Sequence, residues 1–499
     1  MAAKKAGKKA AGAKAAGKKA PAKKSAKAAK KAGAAGQAPS ASVFLINMIP
    51  KALSAETNQD SEPHLTVNPA NTRQIVGTAF TPDPSLGPNA PIYVSLDGGN
   101  TWMLNSIVPS TAGSISGTGD ITTSFNGNAS KLYGAILKAG SSAMQFLRTS
   151  SFSTPPPMTV LKSRPNADQP FTLATTIGGK DRVYIGNNDF AAGGGRTATI
   201  DQSLDGGIAA PVFQAIRVEK RSTVGQDGPQ TRPTAHPDGT VYAAFYRWRS
   251  LTGNFQANTL VITSADVVVV RDDNGGSGAT PYTALIDTGD GIAGKRVVTG
   301  VSFPFMISGA AATGQQRIGG SLSIAVSPLS SSTVYLVWGN KPAGSTGFLT
   351  LHVTRSLDRG KTWSPDLLTI PNATNGALAI NNAGKIAFLY QQLSGVRWVT
   401  HLRRSTTGAT WDDLTLANTS ATNPVRTFNP YLGDYCHLLA VGKDFYGIFS
   451  ASNVPNSANF PNGVKYQRNA DFATQRLFKL DGVTIVPASI DPFFFKITE

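Results

Sequence analysis

Ser95-Leu96-Asp97-Gly98-Gly99-Asn100-Thr101-Trp102 and Ser356-Leu357-Asp358-Arg359-Gly360-Lys361-Thr362-Trp363 share one pattern, Ser-x-Asp-x-Gly-x-Thr-Trp, and each follows a run of β-forming residues. Turn chemistry accounts for every defined position. An Asp side chain accepts backbone N–H groups across a tight reversal, a Gly supplies positive φ, and Thr and Trp suit the strand that resumes. Asp97, Trp102, Asp358 and Trp363 are therefore expected to be structural. Ser203-Leu204-Asp205-Gly206-Gly207 keeps the first half of the pattern, and Gly408-Ala409-Thr410-Trp411 keeps the second. Asp272-Asp273-Asn274-Gly275-Gly276 also reads as a turn, because it lacks the oxygen spacing of a calcium loop.

Outward from these turns a repeat emerges: an apolar strand, a short Asn/Gly/Pro turn, and a second strand with a hydrophobic-aromatic start. Seven copies centre on Ile75–Phe80, Leu132–Leu137, Val183–Gly186, Val241–Phe245, Val334–Trp338, Ile386–Tyr390 and Phe445–Phe449. The second residues of these copies lie 57, 51, 58, 93, 52 and 59 apart. The pattern predicts an all-β fold, a β-propeller of four-stranded antiparallel blades. Seven blades are preferred, and six remain if one unit belongs to a neighbour's loop. The long interval leaves room for an insertion around residues 270–315. The apolar run Val43–Ile49 is too short to span a bilayer and reads as a strand that closes the ring.

Composition divides the chain in two. Its 499 residues carry a net charge of +18, yet residues 1–36 hold twelve lysines and no acid, so 35 minus 29, or +6, remains without them. Residues 1–40 are expected to be a disordered Lys/Ala-rich tail, with residues 41–499 forming one propeller domain. Lysines spaced by small residues neutralise a polyanion without reading sequence, so nucleic acid, anionic lipid or acidic polysaccharide are candidate partners for residues 1–36. The rhythm resembles linker-histone tails. A solubilising spacer arm is the alternative. The lysines run on without an apolar core, so no secretory signal is visible, and a cytoplasmic or particle-associated protein is favoured. A single cysteine, Cys436, excludes an internal disulfide, and the five histidines show no metal-ligand spacing. No cofactor is implied. Gly193-Gly194-Gly195 does not precede a helical pattern and is no phosphate loop.

The turn pattern resembles the Asp-box (BNR repeat) of the sialidase superfamily. The resemblance covers about residues 60 to 470 and includes Asp227-Gly228-Pro229-Gln230-Thr231-Arg232-Pro233 and Gly433-Asp434-Tyr435. In that family three arginines hold the sugar carboxylate, a tyrosine assisted by a glutamate is the nucleophile, and an aspartate is the acid/base. The loops that lead into the innermost strands meet near the axis, and they contain Glu62, Asp120, Asp168, Arg232, Arg317 and Asp434-Tyr435. The resemblance then implies Arg232, Arg317 and Arg426 or Arg164 as substrate-binding arginines. It implies Tyr435 as nucleophile, Asp168 as acid/base, and Glu62 or Glu219 as the assisting carboxylate. The Arg-Ile-Pro signature that opens the family's catalytic domain is absent. Two functions follow: a propeller that recognises a glycan or another polyanionic partner, with the tail as tether, or an exo-sialidase that cleaves a terminal acidic sugar.

Overall fold

A computed structural model describes residues 42–81, 88–109, 118–138, 143–191, 196–226, 228–254, 257, 259–305, 321–341, 348–424 and 432–499. They form seven four-stranded antiparallel sheets and one three-stranded sheet. The innermost strands of blades 1 to 7 are His64–Val67, Ile121–Phe125, Ala167–Ile177, Arg232–Ala235, Leu322–Ser327, Ala373–Ile380 and His437–Val441. Each packs beside the next, and the seventh returns to the first, which makes the sheets a closed ring. Blade 7 is completed by Ser42–Asn47, which pairs antiparallel with Ile490–Thr498. The apolar run near the start of the ring is thus its closing strand.

Side chains explain why the blades lock together. The inner strands present unpaired N–H groups along one edge, and the neighbouring blade caps many of them. Thr66 Oγ1 accepts from Phe125 N at 3.1 Å, Ser124 Oγ from Ala174 N at 2.9 Å, and Ser323 Oγ from Leu378 N at 3.1 Å. The repeated Tyr of the second strands fills the seams. Tyr133, Tyr184 and Tyr242 are buried, and their hydroxyls donate forward to Asp181, Gly275 O and Ser331 O at 2.7, 2.9 and 2.6 Å. Each ring supplies apolar area while its polar tip is satisfied.

The Ser-x-Asp-x-Gly-x-Thr-Trp turns connect the third and fourth strands of blades 1 and 5. In blade 1, Thr101 N and Thr101 Oγ1 donate to Asp97 at 2.9 and 2.7 Å, Gly99 N donates to Ser95 Oγ at 2.9 Å, and Trp102 Nε1 donates to Gly99 O at 3.1 Å. Blade 5 repeats these bonds at 2.9, 2.6, 2.8 and 3.1 Å. Gly99 sits at φ 92°, and a Cβ there would lie 2.1 Å from the Phe494 ring. The worn copies keep fragments. Trp411 Nε1 still donates to Gly408 O at 3.1 Å, whereas Asp205 instead pairs with Lys180 at 3.3 Å.

The long interval has several sources. Blade 4 has twelve-residue second and third strands, Val241–Thr252 and Val261–Asp272, and a long connection before its fourth strand, Lys295–Pro304. Residues 306–320 lie outside the described residues. The three-stranded sheet, Asn469–Asp471, Arg476–Phe478 and Ile485–Val486, has no counterpart in the repeat. It lies in the connection between the second and third strands of blade 7.

Candidate functional site

Strand direction alternates within a blade, so the segments that lead into the innermost strands share one face, opposite the Ser-x-Asp-x-Gly turns. At the seam between blades 7 and 1 this face brings together residues far apart in sequence. Glu62 precedes the inner strand of blade 1 with φ 53°. It lies against Gly433, where a Cβ would come 2.2 Å from its Cγ, so glycine permits the approach. Asp434 N donates to Glu62 Oε1 at 3.3 Å.

Tyr435 follows and is 3% exposed, and its hydroxyl has no hydrogen-bond partner among the described residues. Burial drives its phenol well above the ordinary range. The nearby Asp120, Glu62 and Asp434 push the same way, and Arg232 opposes them. Arg232 begins the inner strand of blade 4 and is 6% exposed. Its guanidinium lies 4.3 Å from the Phe171 ring centroid and 5.4 Å from that of Tyr435. Burial lowers it to about 10, against the pull of Tyr435 and Asp434. Its Nε also has no hydrogen-bond partner among the described residues.

Below this pair the axis is plugged by rings. His64 and His437 stack at 3.9 Å, and Phe171 meets both edge-on at 5.4 and 5.8 Å. Burial holds His437 down to about 3, with Arg232 adding to the effect. Burial likewise lowers His64. From these residues a channel of about 310 Å³ runs along the axis toward Val326, Ile380 and Ala440.

The structure therefore brings Tyr435, Glu62 and Arg232 together, with Asp120 and Asp434 beside them. Asp168 is the second residue of the inner strand of blade 3, is half-buried, and accepts from Gln169 N at 2.7 Å. Arg164 is held elsewhere. It spans the seam between blades 2 and 3, bound to Asp201 at 3.1 Å and to Asp189. Glu219 lies 3.6 Å from Arg221, away from Tyr435's charged neighbours. Arg317 and Arg426 lie outside the described residues. Phe171, His64 and His437 were not anticipated. His437 stands two residues after Tyr435, which was the one available signal.

No helix among the described residues is long and apolar enough to cross a membrane. No protein family and no curated protein matches the sequence. Among solved structures, an α-L-arabinofuranosidase of Fusarium graminearum is 12% identical, with 90% of this chain and 97% of that chain covered and a TM-score of 0.41. The Hadza microbial sialidase is 12% identical, covering 75% and 73%, with a TM-score of 0.38. A polysaccharide lyase, an ulvan lyase, is 11% identical, covering 79% and 92%, with a TM-score of 0.36.

Proposed function

We propose that the ring mouth binds the terminal acidic sugar of a glycan. The observation that carries this reading is Arg232, a buried cation whose Nε finds no acceptor among the described residues, placed against Tyr435 at the axis. A buried guanidinium is costly unless paired, and a ligand carboxylate supplies a planar, bidentate partner.

The neighbourhood of Glu62 and Tyr435 favours a second step, hydrolysis. A neutral phenol attacks an anionic sugar without the repulsion a carboxylate nucleophile meets. Tyr435 oxygen would bond to the anomeric carbon while its proton passes to Glu62. The glycosidic C–O bond breaks, and Asp168 or Asp120 protonates the departing oxygen. Water then reverses the sequence and frees the sugar. Arg317 and Arg426 are proposed to complete the carboxylate clamp. Residues 1–36 are proposed to tether the ring to a polyanion.

The test is release of 4-methylumbelliferone from its sialic acid conjugate, together with binding of N-acetylneuraminic acid. Tyr435→Phe should bind without turnover, and Arg232→Ala should do neither. Absence of both binding and turnover in the unmodified protein from pH 5 to 7 would remove the reading. For the tether, heparin binding should fall steeply with salt and vanish in a chain beginning at Ala41. Equal binding by that shorter chain would sink the tether.

A further inference from the structure

The rings at the axis have no part in the proposed contact with a sugar, yet the backbone around them is shaped to bring them to Arg232. The inner strand of blade 3 changes register between Asp168 and Phe171, and Gln169, within that step, has φ 58°. An irregularity of this kind re-aims the side chain that follows it. Phe171 then pairs with Gly186 on the second strand, Lys180–Asp189. Residues paired across two strands point to one face of the sheet. Phe171 and the bare side of Gly186 therefore share a face, and the stretch that carries Arg232 packs on it. A Cβ at Gly186 would lie 1.9 Å from Thr231 O and 3.2 Å from Pro233 Cδ, so only glycine lets that backbone approach. Thr231 Oγ1 fixes it further by donating to Asn187 O at 3.3 Å.

The Arg232 guanidinium ends over the Phe171 ring, 4.3 Å from its centroid, with the Tyr435 ring at 5.4 Å. The electron-rich face of an aromatic ring attracts a cation, most strongly where water is excluded. Phe171 is itself braced. It meets His64 and His437 edge-on at 5.4 and 5.8 Å, and those two rings stack at 3.9 Å. Both imidazoles are tied to the backbone. His437 Nδ1 donates to Leu65 O at 2.7 Å, and His64 Nδ1 accepts from Thr123 N at 3.4 Å.

We propose that Phe171 is a positioning residue for Arg232. Its ring holds the guanidinium where an incoming carboxylate meets it, and the histidine pair keeps the ring in place. A ligand then binds more tightly because it need not order the arginine on arrival. The link to a carboxylate rests on the mouth reading, whereas the hold of Phe171 on Arg232 is a property of the free protein.

The experiment uses the full chain with two substitutions, Phe171→Leu and Phe171→pentafluorophenylalanine. The second keeps the ring nearly the same shape but makes its face electron-poor. One readout is the ¹⁵N order parameter of Arg232 Nε–H without ligand, the signal being assigned by its loss in Arg232→Lys. The other is affinity for N-acetylneuraminic acid. In the unmodified protein the order parameter should lie near 0.85, the rigid range, and in both variants it should fall below about 0.6. Affinity should fall about tenfold in both. The fluorinated protein should keep its melting temperature, which separates loss of position from loss of packing. An unmoved order parameter in that protein would overturn the proposal. So would unchanged affinity, where the unmodified protein binds the sugar acid. If the unmodified protein binds none while the order parameter still falls, the mouth reading is removed and Phe171 remains the residue that positions Arg232.

Discussion

The two faces of the ring handle polar groups in opposite ways. On the turn face, Asp97 and Asp358 are satisfied from within their own turns, by a Ser two residues before and a Thr four residues after. Partial burial pushes their carboxyls up, yet these hydrogen bonds outweigh it and hold both below the usual range. At the mouth, Glu62, Asp120, Arg232 and Tyr435 come from four blades, and the Tyr435 hydroxyl and Arg232 Nε are left unmet by the described ring. Local satisfaction marks a structural motif. Long-range convergence with unmet donors is the ground on which the proposed binding site rests.

The sharpest break of this contrast is Tyr435→Phe. It should cut turnover by ~10³-fold or more. It should leave the melting temperature unchanged or slightly raised, since it removes a buried hydroxyl with no partner. The converse is Trp102→Ala on the other face. It empties a buried ring site beside Phe494, whose centroid lies 5.3 Å away, and should cost about 3–5 kcal/mol in denaturant unfolding while the folded fraction keeps full affinity.

A third test concerns Asp60, buried at the seam between blades 7 and 1, where Thr81 Oγ1 and Tyr93 OH bond it at 3.0 and 3.1 Å. Burial first, and Asp491 second, push its carboxyl up to about 8. The native state then binds more protons than the unfolded chain between the ordinary carboxylate range and about 8. Stability should therefore fall as pH rises through that window. Melting temperatures from pH 5 to 9 should show the slope, and Asp60→Asn should flatten it. The smallest effect is expected from Asp358→Ala, about 1 kcal/mol for lost turn hydrogen bonds, with no change in ligand affinity by titration.

Much of the architecture was legible because blade chemistry is local. Val241-Tyr242 and its six equivalents announce a strand wherever they occur, and Ser95–Trp102 closes a turn with its own side chains. The strand Ser42–Asn47 was legible as a closing element from its apolar run alone. What escaped had no local signature. The three-stranded sheet around Arg476–Phe478 breaks the repeat. Glu62 and Glu219 were equal candidates in sequence, and only ring closure, which joins positions 372 residues apart, sets Glu62 beside Asp434. Arg164 looked like a mouth residue by position. Its partner Asp201 lies 37 residues on, in a blade it faces only after folding.

The pairing of Ser42–Asn47 with Ile490–Thr498 also sets a schedule for the making of the chain. The strand made first among those of the ring finds its partner only after the last is made. At ribosomal speeds of roughly 5–20 residues per second, that wait is on the order of half a minute to a minute and a half. Throughout it, Phe44, Leu45 and Ile46 are without the strand that will pair them.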